Sequence, residues 1–281
     1  MYKILKKEEI GNRVYSIEVY APEIARNAKP GQFIIFRIDD KGERVPLTVA
    51  GTDIEKGSVR IIFQVVGKST TQLSLLNEGD FIEDFVGPLG HPTKIKNYGV
   101  VVAVAGGVGT AEVLPVIKEL KKAGNRIILI IGARSKDLII LENELKETSD
   151  ELLFATNDGT CGIKGFVTDV LKVVVAKEKV DVVYAIGPVL MMKAVSDLTK
   201  GKNIETIVSL NPIMLDGTGM CGACRVNIDG KTKFACVDGP EFDAHSVAWE
   251  ELSLRLGLYK NLEKISLDNF SFNRECKCHK R

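Results

Sequence analysis

The stretch Val100-Val-Val-Ala-Val-Ala-Gly-Gly-Val-Gly-Thr110 decides how this chain is read. The apolar run Val100–Ala105 has the length and composition of a strand buried on both faces. Glycines at 106, 107 and 109 then permit a tight turn, and a helical pattern follows to Ala123. Such a turn lets backbone amides approach a diphosphate closely, and the helix N-terminus favours its charge. A glycine-rich turn is weak evidence alone, because any strand-to-helix turn can use glycine. Its place at the first strand of an α/β unit gives it weight. Pro115 lies about one turn into the helix and predicts an irregular start.

Toward the C-terminus the alternation continues. Strands are expected at Ile127–Ile131, Leu152–Ala155 and Val182–Ile186, with helices at Leu138–Glu147, Val167–Ala176 and Met191–Thr199. Strands alternating with helices predict a parallel sheet covered on both faces. Residues 98–206 are therefore expected to form an α/β nucleotide-binding domain for NAD(H) or NADP(H). The candidate residues are Gly106, Gly107, Val108, Gly109 and Thr110, with Asn157, Asp158, Gly187, Pro188 and Met191 on later loops. Plainer roles compete: Asp158-Gly159 as a simple turn, Met191 as core. Arg134, in Gly132-Ala-Arg-Ser-Lys136, is a candidate for the nucleotide's 2′ end, and the choice between NADH and NADPH stays open.

Before residue 98 the texture differs. Short strand patterns at Val14–Tyr20, Phe33–Ile38, Val59–Val66 and Phe81–Val86 are separated by Pro/Gly/Asp breaks, with one helical stretch at Thr70–Leu76. That spacing predicts an antiparallel β-barrel over 1–97. Two clusters in it carry chemistry. Arg44-Val-Pro-Leu-Thr48 combines a planar cation, a rigid kink and a hydroxyl; Gly67-Lys-Ser-Thr-Thr71 sets a cation and three hydroxyls at a helix start. Arginine and helix-start amides suit a diphosphate, and Thr48 can hydrogen-bond a flavin ring beside an apolar wall of Pro46 and Leu47. Each cluster alone reads as readily as a surface turn or an N-cap. Their order ahead of a nucleotide domain favours a cofactor.

Beyond Ile207 the chain becomes a Gly/Cys-rich loop system, expected to bind a metal centre over 207–245, with a closing helix at His245–Leu256 and a tail within 246–281. Asp216-Gly-Thr-Gly-Met-Cys221-Gly-Ala-Cys224 precedes Cys236. Cys-x4-Cys-x2-Cys…Cys is a plant-type [2Fe–2S] spacing, and Asp216 stands where its first cysteine would be. Zinc held by three cysteines with His245 or Asp216 is the bland alternative, and Cys161, Cys276 or Cys278 the other sources of a fourth thiol. A redox-silent zinc beside a flavin would transfer no electrons, so the cluster is preferred.

The whole chain holds 281 residues, with 38 Lys+Arg against 37 Asp+Glu, so its net charge of +1 offers no field for nucleic acid or an anionic membrane. The basic start Met1–Lys7 lacks an apolar core, and no run approaches a membrane span; the expected setting is cytoplasmic.

The two barrel clusters and the loops Asp158-Gly-Thr160 through Lys164-Gly165 and Gly187-Pro-Val-Leu-Met191 resemble the ferredoxin–NADP reductase superfamily. That resemblance implies FAD held by Arg44, Pro46, Leu47, Thr48, Val65, Gly67, Ser69, Thr70 and Thr71. Barrel, nucleotide domain and cluster loop in this order resemble the electron-transfer subunit of dihydroorotate dehydrogenase B, whose cluster has four cysteines. With aspartate in the first place, the run Met214–Cys224 looks like the small subunit of NADH-dependent reduced ferredoxin:NADP oxidoreductase, also named sulfide dehydrogenase beta subunit. By that resemblance Asp216, Cys221, Cys224 and Cys236 ligate a [2Fe–2S] cluster. The implied partner is a larger flavoprotein with [4Fe–4S] clusters, through which ferredoxin reacts. A dihydroorotate dehydrogenase partner is the alternative, and a zinc-stabilised nucleotide-binding protein without turnover a third. No catalytic acid or base is assigned, because hydride transfer to a flavin requires none.

Overall fold

The computed structural model describes residues 1–278, with side chains through residue 271. Its first unit runs β1 (Tyr2–Gly11), β2 (Val14–Tyr20), α1 (Pro22–Asn27), β3 (Phe33–Arg37), β4 (Val45–Asp53), β5 (Ser58–Gln64), α2 (Lys68–Leu75), β6 (Phe81–Ile82) and β7 (Asp84–Leu89). The antiparallel order β6-β1-β2-β5-β4-β3-β7 makes the expected barrel sheet, nearly closed. Its interior is filled by Ile17, Ile34, Phe36, Ile61, Phe63 and Phe85, almost wholly withdrawn from water. Truncating a side chain of this kind to alanine costs about 2–5 kcal/mol. β1 carries little hydrophobic signal, since Ile4 is its one fully buried residue and lysines and glutamates fill most other places. Its pairing to β2 supplies the order that its own pattern lacks.

The second unit runs β8 (Val100–Gly106), α3 (Gly109–Lys122), β9 (Arg126–Ala133), α4 (Glu142–Thr148), β10 (Glu151–Thr156), β11 (Ile163–Lys164), α5 (Val167–Lys177), β12 (Val182–Ile186), α6 (Val189–Lys200) and β13 (Glu205–Ser209). The period of two divides β8, β9 and β12 between two cores. Val102, Val104, Ile128, Ile130 and Val183 face α5 and α6, while Val101, Ala103, Leu129, Ile131 and Tyr184 face α3. The helix α3 continues through Pro115 without a break. The helix expected from Leu138 starts only at Glu142, because Leu141 takes a left-handed conformation at φ 58° and ends a short 3-10 turn region before it.

The sheet passes the expected limit at 206. After β14 (Arg225–Ile228), β15 (Lys231–Phe234) and α7 (Ala235–Asp238), the strand β16 (Glu241–Asp243) joins it as an antiparallel edge on β13. The full order is β11-β10-β9-β8-β12-β13-β16. α8 (Trp249–Gly257) closes the same core through Trp249 and Leu252, and α9 (Lys260–Cys278) occupies the segment read as tail. Among the described residues no helix is long and apolar enough to cross a membrane.

Candidate functional site

β4 opens with the first flavin-type cluster. Arg44 is exposed just before it, and Pro46, Leu47 and Thr48 lie half-buried opposite Ile35, Ile34 and Phe33 of β3. The second cluster begins α2. Ser69 and Thr70 are buried there, and Thr70 Oγ1 accepts from the Val66 and Gly67 amides at 3.0 and 3.1 Å. Thr70 and Thr71 also donate to the Gly67 carbonyl, so both hydroxyls shape the turn itself. Glu43 joins the two clusters: Ser69 Oγ donates to its carboxylate at 3.1 Å, and Lys68 Nζ stands 3.9 Å away. Its role was missed in the sequence, where it reads as one more turn acid. Glu112 lies in the first turn of α3; burial pushes its carboxyl upward in pKa and the Thr48 hydroxyl pulls it back.

A cavity of about 520 Å³ lies between barrel and nucleotide sheet. Of the expected residues it is lined by Val65, Gly106, Gly107, Val108, Arg134, Asn157, Pro188 and Met191. Arg13, Gln64 and Phe166 line it as well, and among the described residues no Asp or Glu does. Arg13 sits in the β1–β2 turn at φ 57°, a place that only the folded barrel brings to the nucleotide domain. Gly107, at φ 59°, faces open space, as a glycine serving a close-approaching ligand should. Gly109 and Thr110 are buried beneath the turn, and Gly187 takes φ 148°. Asp158 is absent from the cavity wall. Its carboxylate accepts from the amide and hydroxyl of Thr160 at 2.9 and 2.7 Å, which is the plain turn role.

The cysteine loop packs on the barrel. Phe33 and Ile35 of β3 form one small core with Met214, Cys224, Ala235 and Cys236. Gly217, at φ 76°, passes so close that a Cβ would meet Leu89 at 2.5 Å and Ile35 at 2.9 Å. Cys224 and Cys236 are buried with their sulfurs 3.1 Å apart, while Cys221 is exposed. Asp216 accepts from the amides of Thr218 and Cys221, both at 2.8 Å, and these bonds hold its carboxyl below the usual range. Among the described residues no three Cys, His, Asp or Glu side chains already converge on one point. The sequence's four ligands thus divide into a convergent thiol pair and two groups at the loop's surface.

Two of the alternative ligands belong to other parts of the fold. His245 Nε2 lies 3.0 Å from Thr199 Oγ1 on α6, behind the nucleotide sheet. Cys161 sits in the β10–β11 loop, its amide and carbonyl both bonded to Thr156 Oγ1. The side chains of Cys276 and Cys278 lie outside the described residues. The thiol pair does suit a cation: burial, with the Cys224 sulfur beside it, pushes the Cys236 thiol up to about 12. Such a pair ionises when a metal centre supplies positive charge.

A flavin-type barrel, a nucleotide cavity beside it and a thiol loop packed on the barrel define a reductase of the barrel-plus-nucleotide-domain class with an added metal-centre loop. Residues 103–197 match the oxidoreductase NAD-binding domain, and residues 211–248 match the iron–sulfur cluster binding domain of dihydroorotate dehydrogenase B. A Thermotoga maritima relative, a dihydroorotate dehydrogenase B (NAD(+)) electron transfer subunit homolog, is 50% identical over 95% of both chains. The electron transfer subunit of that enzyme from Desulforamulus reducens is 34% identical, over 88% of this chain and 97% of its own. A solved structure of the NADH-dependent reduced ferredoxin-NADP oxidoreductase is 49% identical, covers 96% of this chain and 98% of its own, and superposes with a TM-score of 0.91. The chain belongs to the family of dihydroorotate dehydrogenase B electron-transfer subunits and their homologues, and it is an NAD(P)H oxidoreductase subunit.

Proposed function

We propose that this chain takes hydride from NADH or NADPH onto FAD and passes electrons singly through a [2Fe–2S] cluster to a larger partner subunit. One observation supports the reading above the rest. Arg44 and Pro46 line a groove of about 850 Å³ together with Cys221, while Val65 lines the nucleotide cavity. The barrel thus touches a nucleotide site and a thiol loop at once. FAD, when bound, accepts two electrons as hydride and returns them one at a time. Arg44 and the α2 amides would hold its diphosphate, Thr48 and the Pro46–Leu47 wall its ring, and Asp216, Cys221, Cys224 and Cys236 the iron.

The partner is proposed to be a larger flavoprotein with [4Fe–4S] clusters, reaching ferredoxin through the complex. Leu215, Leu258 and Leu262 along the groove and Met220 on the cysteine loop are exposed apolar residues, Met220 at 89%. A patch of that kind beside an electron exit suits a protein interface. The proposed setting is the cytoplasm, where thiols stay reduced. A dihydroorotate dehydrogenase partner is the second reading, favoured by the match of residues 211–248. Co-expression with each candidate separates the two: the subunit that co-purifies decides. Anaerobically prepared protein should carry about one FAD and two irons per chain. Colourless, iron-free material would end the proposal.

Two substitutions test individual residues. Asp216→Cys should retain the cluster but change its EPR signal and potential, because a soft sulfur replaces a hard oxygen. An unchanged spectrum removes Asp216 from the ligand set and leaves it the loop-capping role its two amide bonds already give it. Arg134→Ala should raise KM for NADPH by about tenfold with kcat unchanged, and KM for NADH less. An equal rise for both assigns Arg134 to the diphosphate instead.

A further inference from the structure

Glu241 begins β16, five residues beyond Cys236, and its backbone pairs with Ser209 of β13. Its Oε1 accepts a hydrogen bond from Tyr184 Oη at 2.5 Å, and a second from Thr93 Oγ1. Tyr184 lies in the middle of β12 and is 2% exposed; Thr93 lies in the link between barrel and nucleotide sheet. A third surface closes the knot. A Cβ on Gly31, in the barrel's Lys29-Pro30-Gly31 turn, would collide with the Thr93 hydroxyl and stand 2.7 Å from Glu241 Oε1. Backbone bonds surround it: Thr93 N to Pro30 O at 2.8 Å, His91 N to Gly239 O at 2.7 Å and Leu210 N to Pro240 O at 2.9 Å.

A carboxylate largely withdrawn from water is a costly way to fill space, and apolar residues of the same size pack as well or better. Burial opposes the charge of Glu241, and the Thr93 and Tyr184 hydroxyls oppose burial. What the carboxylate adds over an apolar residue is direction. Two hydroxyls from different modules converge on one oxygen, which fixes both at hydrogen-bond length. Besides the His91–Gly239 backbone bond, the loop that carries Cys224 and Cys236 rests on the barrel through the small apolar core around Phe33 and Ile35, whose contacts have no direction of their own.

We infer that Glu241 is a positioning residue, pinning the cysteine loop to the barrel and the nucleotide sheet together, so that electron exit from the flavin to the cluster depends on it. This rests on the function proposed above. Glu241 touches neither proposed cofactor site, so hydride uptake is independent of it. Electron transfer slows as donor and acceptor move apart, so a cluster loop free to shift away from the flavin loses rate at this step. The exit step is where that loss would appear.

The experiment uses the holo-chain and follows two signals after mixing with NADH: flavin bleaching, and cluster reduction by EPR on freeze-quenched samples. Glu241→Ala should keep flavin, iron and the rate of flavin bleaching, while cluster reduction slows by about tenfold or more. Glu241→Gln keeps a carbonyl oxygen for both hydroxyls and should restore most of the rate. If Glu241→Ala does not fold, Thr93→Val removes the link's donor alone and should slow cluster reduction with bleaching intact. Cluster reduction at the wild-type rate in every folded variant overturns the inference. So does a Glu241→Gln as slow as Glu241→Ala, which assigns the effect to charge. A wild-type chain without flavin or iron defeats the proposed function instead, and the two failures are distinct.

Discussion

Cys236→Ala is expected to strip the iron from this chain while leaving its flavin in place. Among the described residues Cys224 and Cys236 are the two buried thiols, each 2% exposed and 3.1 Å from the other. They form the one part of the proposed ligand set that is already convergent. Alanine cannot ligate iron, and the three remaining donors, exposed Cys221, buried Cys224 and Asp216 with its loop amides, leave one iron a protein ligand short. Iron should fall from about two per chain toward zero, and the visible and EPR signals of the cluster should vanish. The substitution removes no residue of the flavin clusters at Arg44–Thr48 and Gly67–Thr71, so flavin content and its reduction by NADH should persist. Delivery to a one-electron acceptor should drop by about 100-fold or more, the scale on which lost positioning of a reacting centre is felt. The fold itself should lose only about 1–2 kcal/mol, since one small buried side chain is shortened. Cys161→Ala, in the nucleotide domain's loop, is the control and should change nothing. If Cys236→Ala keeps two irons per chain, the ligand set read from the spacing is wrong.

The parts legible in the sequence are those in which local pattern and tertiary role agree. Val100–Thr110 announced a buried strand, a tight turn and a helix because burial on both faces, glycine and period 3.6 are each written locally; the structure has β8 ending at Gly106 and α3 starting at Gly109. The iron–sulfur loop was legible for the same reason, since the run Asp216–Cys224 is nine residues of local Gly/Cys pattern. β1 was not, because ten residues rich in lysine and glutamate gain order only from β2. The continuation of the sheet through β13 and β16 was hidden by distance: Ser209 and Glu241 pair across an intervening loop and hairpin. Arg13, Glu43, Glu112 and Glu241 were missed as site residues for a related reason. Each is a common surface residue type in its own neighbourhood, and its partner lies far along the chain, in another module for all but Glu43. Asp158 went the other way, from candidate ligand contact to turn former, because Thr160 lies close enough to capture its carboxylate.

Gly109→Ala should cripple both the stability of the nucleotide domain and its hold on the nucleotide, whereas Gly107→Ala should chiefly affect binding. A Cβ on Gly109 would lie 2.5 Å from the Ile186 carbonyl oxygen, 2.9 Å from its carbon and 3.1 Å from Gly187 Cα. All three are backbone atoms, so no rotamer can relieve the clash. Ile186 cannot retreat, since β12 is held between β8 and β13, opposite Ala105 and Ser209. Relief requires α3 to lift off the sheet or the end of β12 to shift. Either movement carries away cavity residues, Gly106–Val108 in the first case and Pro188 and Met191 in the second. Overpacking of this kind costs about 1–3 kcal/mol. On a domain of this size that lowers Tm by roughly 2–12 °C. KM for the nucleotide should rise by about tenfold or more, because the turn that presents amides to the diphosphate is displaced. Gly107 differs in kind: nothing lies within 4 Å of its would-be Cβ, and its φ of 59° charges an alanine only the left-handed penalty. That penalty is about 1–2 kcal/mol. The methyl would instead occupy the space a diphosphate needs, raising KM with a small change in Tm. Thermal melts and NADH titrations on the two variants separate the effects, and a Gly109→Ala protein with wild-type Tm and KM would contradict the packing of α3 against β12 on which the cavity depends.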